Sequence, residues 1–232
     1  TRRDFLRYSA TAGAGAAIAT RTGGLRRAFA APARPGLSDP ALQPKFEAMT
    51  PNALDPSFVF RSPNNRYKIA MQELVQRTGL RNPPNGQLLD TRVWGYGRNG
   101  PGGPWPGMTF EERSGEPIEV MWQNKLPKRH LLPVDTSLHW AYALAGYERY
   151  SIARDGVPAV AHLHGGHTDD VYDGNPEFFF ARGVRGPQWE EKKYVYDNSQ
   201  PAGTLWYHDH ALGITRLNVY AGLAGFYILR DE

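Results

Sequence analysis

Between Ala161 and His167 the chain reads AHLHGGH, and between Leu205 and His210 it reads LWYHDH. Five of the seven histidines lie in these two stretches. A neutral imidazole nitrogen is a good ligand for copper, zinc, iron and nickel, so paired histidines point first to a bound metal. The chain has no cysteine. That removes thiolate nucleophiles and disulfides, and it argues against structural zinc sites and iron–sulfur clusters. For an imidazole-rich donor set the Irving–Williams order favours copper without deciding the metal alone.

Such residues need elements that aim them. Side chains alternate across a strand, so His162 and His164 are expected on one face with Leu163 turned into the core. His208 and His210 repeat the pattern around Asp209. Two such pairs on neighbouring strand ends would bring four ring nitrogens together. His167 sits in the glycine-rich loop and is read as a bystander, while His130 and His139 are read as loop or surface residues.

The rest of the chain is patterned for strands. Tyr67, Ile69 and Met71 share a face in RYKIAMQEL (66–74), as do Ile118, Val120 and Trp122 in PIEVMWQN (117–124). Further strand-like pieces fall at 157–164, 192–198, 203–210 and 222–230, and loops are expected at 95–107, 126–135 and 165–177. With 25 Gly, 19 Pro, 12 Tyr, 10 Phe and 6 Trp, and with no internal repeat and no convincing helix beyond the leader, the expectation is an all-β Greek-key sandwich or barrel. One such domain is expected over 57–232, preceded by a proline-punctuated linker or arm at 31–56.

The net charge of +4 is concentrated at one end. Residues 1–30 hold six of the 27 basic residues and one acid, Asp4, which leaves 21 basic against 22 acidic residues in the remainder. Basic charge therefore gives no argument for nucleic acid or an anionic membrane as a partner. The order Arg2-Arg3-Asp4-Phe5-Leu6, a weakly apolar run, and Ala28-Phe29-Ala30 resembles a twin-arginine export signal, so a periplasmic or secreted location is expected. The apolar run is too short and too rich in Gly and Ala for a stable membrane span.

HLHGG (162–166) followed by LWYHDHALGITRLNVYAGLAGFYILRD (205–231) closely resembles the first cupredoxin domain of multicopper oxidases, of the bacterial spore-coat-laccase and bilirubin-oxidase type. RVWGYG (92–97), PGMTFEERSGEPIEVMWQNKLP (106–127), HLLPVD (130–135) and DGNPE (173–177) match the same pattern, and the resemblance runs over roughly 45–232. It implies a cupredoxin-like fold and copper as cofactor. His162 would bind a type 2 copper, His164 and His208 one copper of a type 3 pair, and His210 the other. Asp173 would be the acid that hydrogen-bonds solvent near the cluster and supplies protons as dioxygen becomes water.

The same resemblance implies that four further histidines come from a C-terminal cupredoxin domain. That domain would also carry a type 1 copper on a Cys and two His, and this chain has no Cys. The expectation is the first domain of a larger laccase-like oxidase, contributing half of the ligands of a cluster that takes electrons from a small-molecule donor and passes them to dioxygen. Two alternatives stand beside it: an exported copper-binding module that works alone, and a non-enzymatic structural protein of the same fold. Retention of all four histidines speaks against the latter.

Overall fold

Strand alternation is written into the residues that face inward. In Ile118–Asn124, Ile118, Val120, Trp122 and Asn124 are buried and the residues between them are partly exposed. The structure, a computed structural model, describes residues 39–82, 85–98, 103–136, 146 and 150–231. The leader expected at 1–30 and His139 lie outside the described residues.

Among the described residues of the unit Pro44–Glu232 there are ten strands. They are β1 (Arg66–Arg81), β2 (Leu88–Arg98), β3 (Gly107–Arg113), β4 (Ile118–Asn124), β5 (Ala161–His164), β6 (Phe180–Ala181), β7 (Val184–Arg185), β8 (Lys193–Tyr196), β9 (Gly203–Asp209) and β10 (Ala224–Arg230). Two α-helices accompany them, α1 (Ile152–Asp155) and α2 (Thr215–Ala221), with single 3-10 turns at Pro56–Phe58, Asp170–Tyr172 and Pro176–Phe178. No described helix is long and apolar enough to cross a membrane.

One four-stranded sheet has the order β2-β1-β4-β8 and a second has the order β3-β10-β9-β5, while β6 and β7 form a small hairpin. Neighbours are antiparallel except for β1 with β4 and β3 with β10. The sheets face each other across an aromatic core. Trp122 of the first sheet lies 5.8 Å, ring to ring, from Tyr207 of the second, and Tyr196 lies 6.0 Å from Tyr227. Such rings give large apolar burial, and each well-placed pair adds about 0.5–1.5 kcal/mol. Tyr207 donates its hydroxyl to the Met108 carbonyl at 2.6 Å, and Tyr227 donates to Asn198 Oδ1 at 2.6 Å.

The all-β sandwich is as the patterning predicts, with one clear departure. The loop expected at 95–107 begins as strand, because β2 runs on through Trp94, Tyr96 and Arg98. Its glycines misled the reading. A Cβ on Gly95 would lie 2.3 Å from the Pro104 carbonyl oxygen, and one on Gly97 would lie 2.2 Å from Gly103 Cα. The following segment folds back onto the strand, and only glycine leaves room for that close approach.

Candidate metal centre

β5 is an edge strand paired antiparallel with β9, in a register that sets His162 opposite His208 and His164 opposite Trp206. The pleat then puts His162, His164, Trp206 and His208 on the outer face of the second sheet. Leu163, Tyr207 and Asp209 point into the core, each at most 2% exposed. One potential ligand nitrogen from each of His162, His164 and His208 lies within 4.8 Å of the others. His210 follows just beyond β9, with its ring 4.8 Å from that of His162 and 5.7 Å from that of His208.

The orientation of each ring is set by what the other nitrogen touches. His162 donates its Nδ1–H to the backbone carbonyl of Asp173 at 2.5 Å, and His208 donates its Nδ1–H to the carbonyl of Asp209 at 2.7 Å. A carbonyl can only accept, so in each ring when neutral the lone pair is on Nε2. His164 Nδ1 lies 3.2 Å from His208 Nε2. Trp206 covers this pair, its ring 4.1 Å from His208 and 5.0 Å from His164. Burial pulls the pKa of His208 down to about 4 and lowers that of His210. Neutral rings are the form that can donate a lone pair to a metal.

This donor set fits copper. A ligating imidazole nitrogen sits about 2.0–2.1 Å from a zinc-sized divalent ion, so two nitrogens sharing one ion lie within about 4 Å of each other. The His164–His208 pair meets that limit at 3.2 Å. His210 Nδ1 is buried with no hydrogen-bond partner among the described residues, a costly state unless something else engages that ring. The donors are all nitrogen and borderline in softness, which suits copper over magnesium or calcium.

The remaining sequence candidates divide. Asp173 is beside the cluster, but its backbone carbonyl makes the short contact to His162. Its carboxylate accepts from Thr168 Oγ1 at 2.8 Å and stands 3.4 Å from His162 Nδ1. Gly174 permits this approach: it has φ +77°, and a Cβ there would lie 2.0 Å from the Ala161 carbonyl oxygen. His167 is outside the converging group, and its backbone N–H goes to Gln200 Oε1 at 2.7 Å.

His130 lies in the loop expected at 126–135 but is not at the open surface. It is half-buried against Trp94, ring centroids 4.3 Å apart, and hydrogen-bonded to Asn218 at 3.1 Å. Burial lowers its pKa. Sequence reasoning also passed over Asp209, which is fully buried and accepts three N–H groups. Burial raises its pKa to about 7 against those hydrogen bonds. The available signal was its place between the two histidines, where alternation turns the acid into the core.

A cavity of about 400 Å³ lies elsewhere, between β4, β8 and the β6–β7 hairpin, and none of the four histidines lines it. The candidate chemistry is on an open sheet face.

The multicopper oxidase family profile matches residues 156–232, which include both histidine pairs. A laccase from Bacillus stratosphericus is 44% identical over 167 residues, covering 71% of this chain and 29% of that protein. A laccase from Bacillus subtilis is 40% identical over 167 residues with the same coverage. Among solved structures, a multi-copper oxidase from Pediococcus acidilactici aligns with a TM-score of 0.46 at 21% identity, covering 74% of this chain and 27% of that one. The chain thus spans less than a third of the length of the curated relatives cited. On the family profile over residues 156–232 and the sequence identity to these laccases, the chain carries a domain of the multicopper oxidase family.

Proposed function

We propose that this domain supplies half of the ligands of a trinuclear copper cluster in an exported, laccase-like oxidase. His162 binds the type 2 copper, His164 and His208 bind one copper of the type 3 pair, and His210 binds the other. The observation that carries this reading is the β5–β9 register, which brings His162, His164 and His208 onto one face with one ring nitrogen of each within 4.8 Å of the others, while the His210 ring lies 4.8 Å from that of His162. With one, two and one ligands from this chain, no copper is closed by it alone. The remaining histidines, and a type 1 site with its cysteine, belong to a further domain, in keeping with the length of the relatives.

With copper bound, the chemistry supplied at the site is the transfer of four electrons from a small-molecule donor to dioxygen, O2 + 4 e⁻ + 4 H⁺ giving 2 H2O. This chain's own residues hold and orient. The Asp173 and Asp209 carbonyls fix the His162 and His208 rings, and such outer contacts set both ring direction and ligand basicity. The Asp173 side chain, partly exposed beside His162, would take a proton from solvent as a carboxylate and pass it on as a carboxyl group at the cluster. The leader at 1–30 directs the protein to the periplasm or beyond.

The test compares copper content and dioxygen consumption for the 232-residue chain and for the protein completed by its downstream coding sequence. The completed protein is expected to hold the cluster and consume dioxygen, and His162→Ala or His208→Ala is expected to abolish both. A monomeric 232-residue chain that tightly held three coppers would instead support a module working alone.

A further inference from the structure

Behind the sheet face that bears the histidines lies a fully paired polar network inside the core. Asp209 and Asn218 are both 0% exposed. Asp209 Oδ1 accepts the backbone N–H of Val160 at 3.0 Å, and Oδ2 accepts the N–H of Ala211 at 3.1 Å and Asn218 Nδ2 at 2.8 Å. Asn218 Nδ2 also reaches the Pro158 carbonyl at 2.9 Å, and Asn218 Oδ1 meets His130 Nε2 at 3.1 Å. His130 Nδ1 accepts from the Leu132 N–H at 2.9 Å, so its proton must be on Nε2, donated to Asn218. Every donor in the relay faces an acceptor.

The positions that this network holds are those that matter for the histidines. Val160 lies two residues before His162, and its carbonyl accepts the backbone N–H of His210 at 2.8 Å. Ala211 follows His210 directly. One carboxylate therefore grips the chain as it comes into β5 and as it leaves β9. The same residue's carbonyl fixes the His208 ring. Two bonds to one rigid group leave the two histidine pairs little freedom to separate or slide, and buried networks of this kind act as units when fully satisfied.

We propose that Asp209, backed by Asn218 and His130, is the positioning group of the centre: it sets the spacing between the two histidine pairs by tying both chain segments to one carboxylate. The inference rests on the reading of the four histidines as copper ligands. It requires an acceptor-only side chain at 209. Asp209→Asn turns an amide donor toward N–H groups, and Asn218→Asp sets two carboxylates against each other. The double exchange, Asp209→Asn with Asn218→Asp, restores one donor–acceptor contact in the reverse direction.

The experiment uses the complete protein, with His162→Ala as the ligand control. Copper affinity, the electron paramagnetic resonance spectrum of bound copper and the thermal midpoint are measured for each variant. Each single variant is expected to weaken copper binding by roughly 10–100-fold and to shift the copper spectrum, with partial recovery in the double exchange. If Asp209→Asn does not fold, His130→Ala and His130→Gln decide at the far end of the relay. Alanine is expected to weaken copper binding, and glutamine, which can both donate and accept, to recover it. Folded variants with unchanged copper affinity and spectrum, whatever their thermal midpoints, would overturn the proposal while His162→Ala still lost copper. Full copper binding by His162→Ala would instead overturn the ligand reading itself.

Discussion

His164 Nδ1 and His208 Nε2 face each other at 3.2 Å, and the proton between them belongs to His164. His208 has already committed its own ring proton to the Asp209 carbonyl. In the metal-free neutral protein, His164 is therefore the Nδ1–H tautomer, held in place by the lone pair that a metal would take.

That assignment is directly measurable. Long-range ¹⁵N–¹H correlation on the metal-free protein is expected to show protonated Nδ1 in His162, His164 and His208. A diamagnetic ion such as Cu(I) that takes His164 through Nδ1 must move its proton to Nε2. Retention of the Nδ1–H signal in the loaded protein would show that His164 does not ligate through that atom.

Gly174→Ala is expected to disturb the centre without touching a ligand. The left-handed conformation at φ +77° disfavours alanine by about 1–2 kcal/mol, and the methyl group would drive into the Ala161 carbonyl. The shift carries the Asp173 carbonyl away from His162. A lower denaturant midpoint together with roughly tenfold weaker copper binding is the expected result. A lower midpoint with unaltered copper affinity would separate the loop's fold from the orientation of His162.

Gly225→Ala tests the core under the same sheet. Gly225 pairs with Gly107 across β10 and β3, and the two leave a slot for the phenol of Tyr207. A Cβ on Gly225 would lie 2.5 Å from the Tyr207 oxygen and 2.6 Å from its ring carbon. Overpacking against a rigid ring costs about 1–3 kcal/mol. For a chain of this size that lowers the thermal midpoint by roughly 2–4 °C per kcal/mol, which calorimetry reads directly.

Glu112 gives a pH dependence separate from the histidines. It is 8% exposed, burial raises its pKa from 4.5 to about 7, and the hydrogen bond donated by Tyr67 at 2.7 Å only partly offsets this. The folded state thus holds a proton that the unfolded chain releases. The group's contribution is fully present below about pH 4.5 and is lost as pH rises to about 7. The loss is on the order of 3 kcal/mol. Glu112→Gln keeps the acceptor for Tyr67 and is expected to flatten this part of the stability profile. An unchanged slope between those pH values would assign it to other groups.

The local pattern of the centre was legible because it depends on period two alone. H-x-H on a strand puts both rings on one side, and Ile118, Val120 and Trp122 show the same rule in the opposite sheet. Contacts made at long range were not legible. Nothing local distinguishes the glycines of β2 from loop glycines until the 103–104 segment folds over them. His130 and Asn218 stand 88 residues apart, so their bond has no sequence signature. Asp173 was found as an acid, yet it holds His162 mainly by a carbonyl that every residue type possesses. What matters there is the neighbouring glycine.

The ladder between β5 and β9 has a consequence for how such a centre can change over time. Its geometry resides in two short stretches matched residue to residue, with His162 across from His208. The intervening chain enters only through a few contacts, such as the Asp173 carbonyl. Insertions and deletions in the loops of that span, outside β6, β7 and β8, leave the imidazoles in register, because loop closure becomes only slowly harder with length. Surface specificity is therefore free to diversify in the connecting loops while the inorganic chemistry stays fixed.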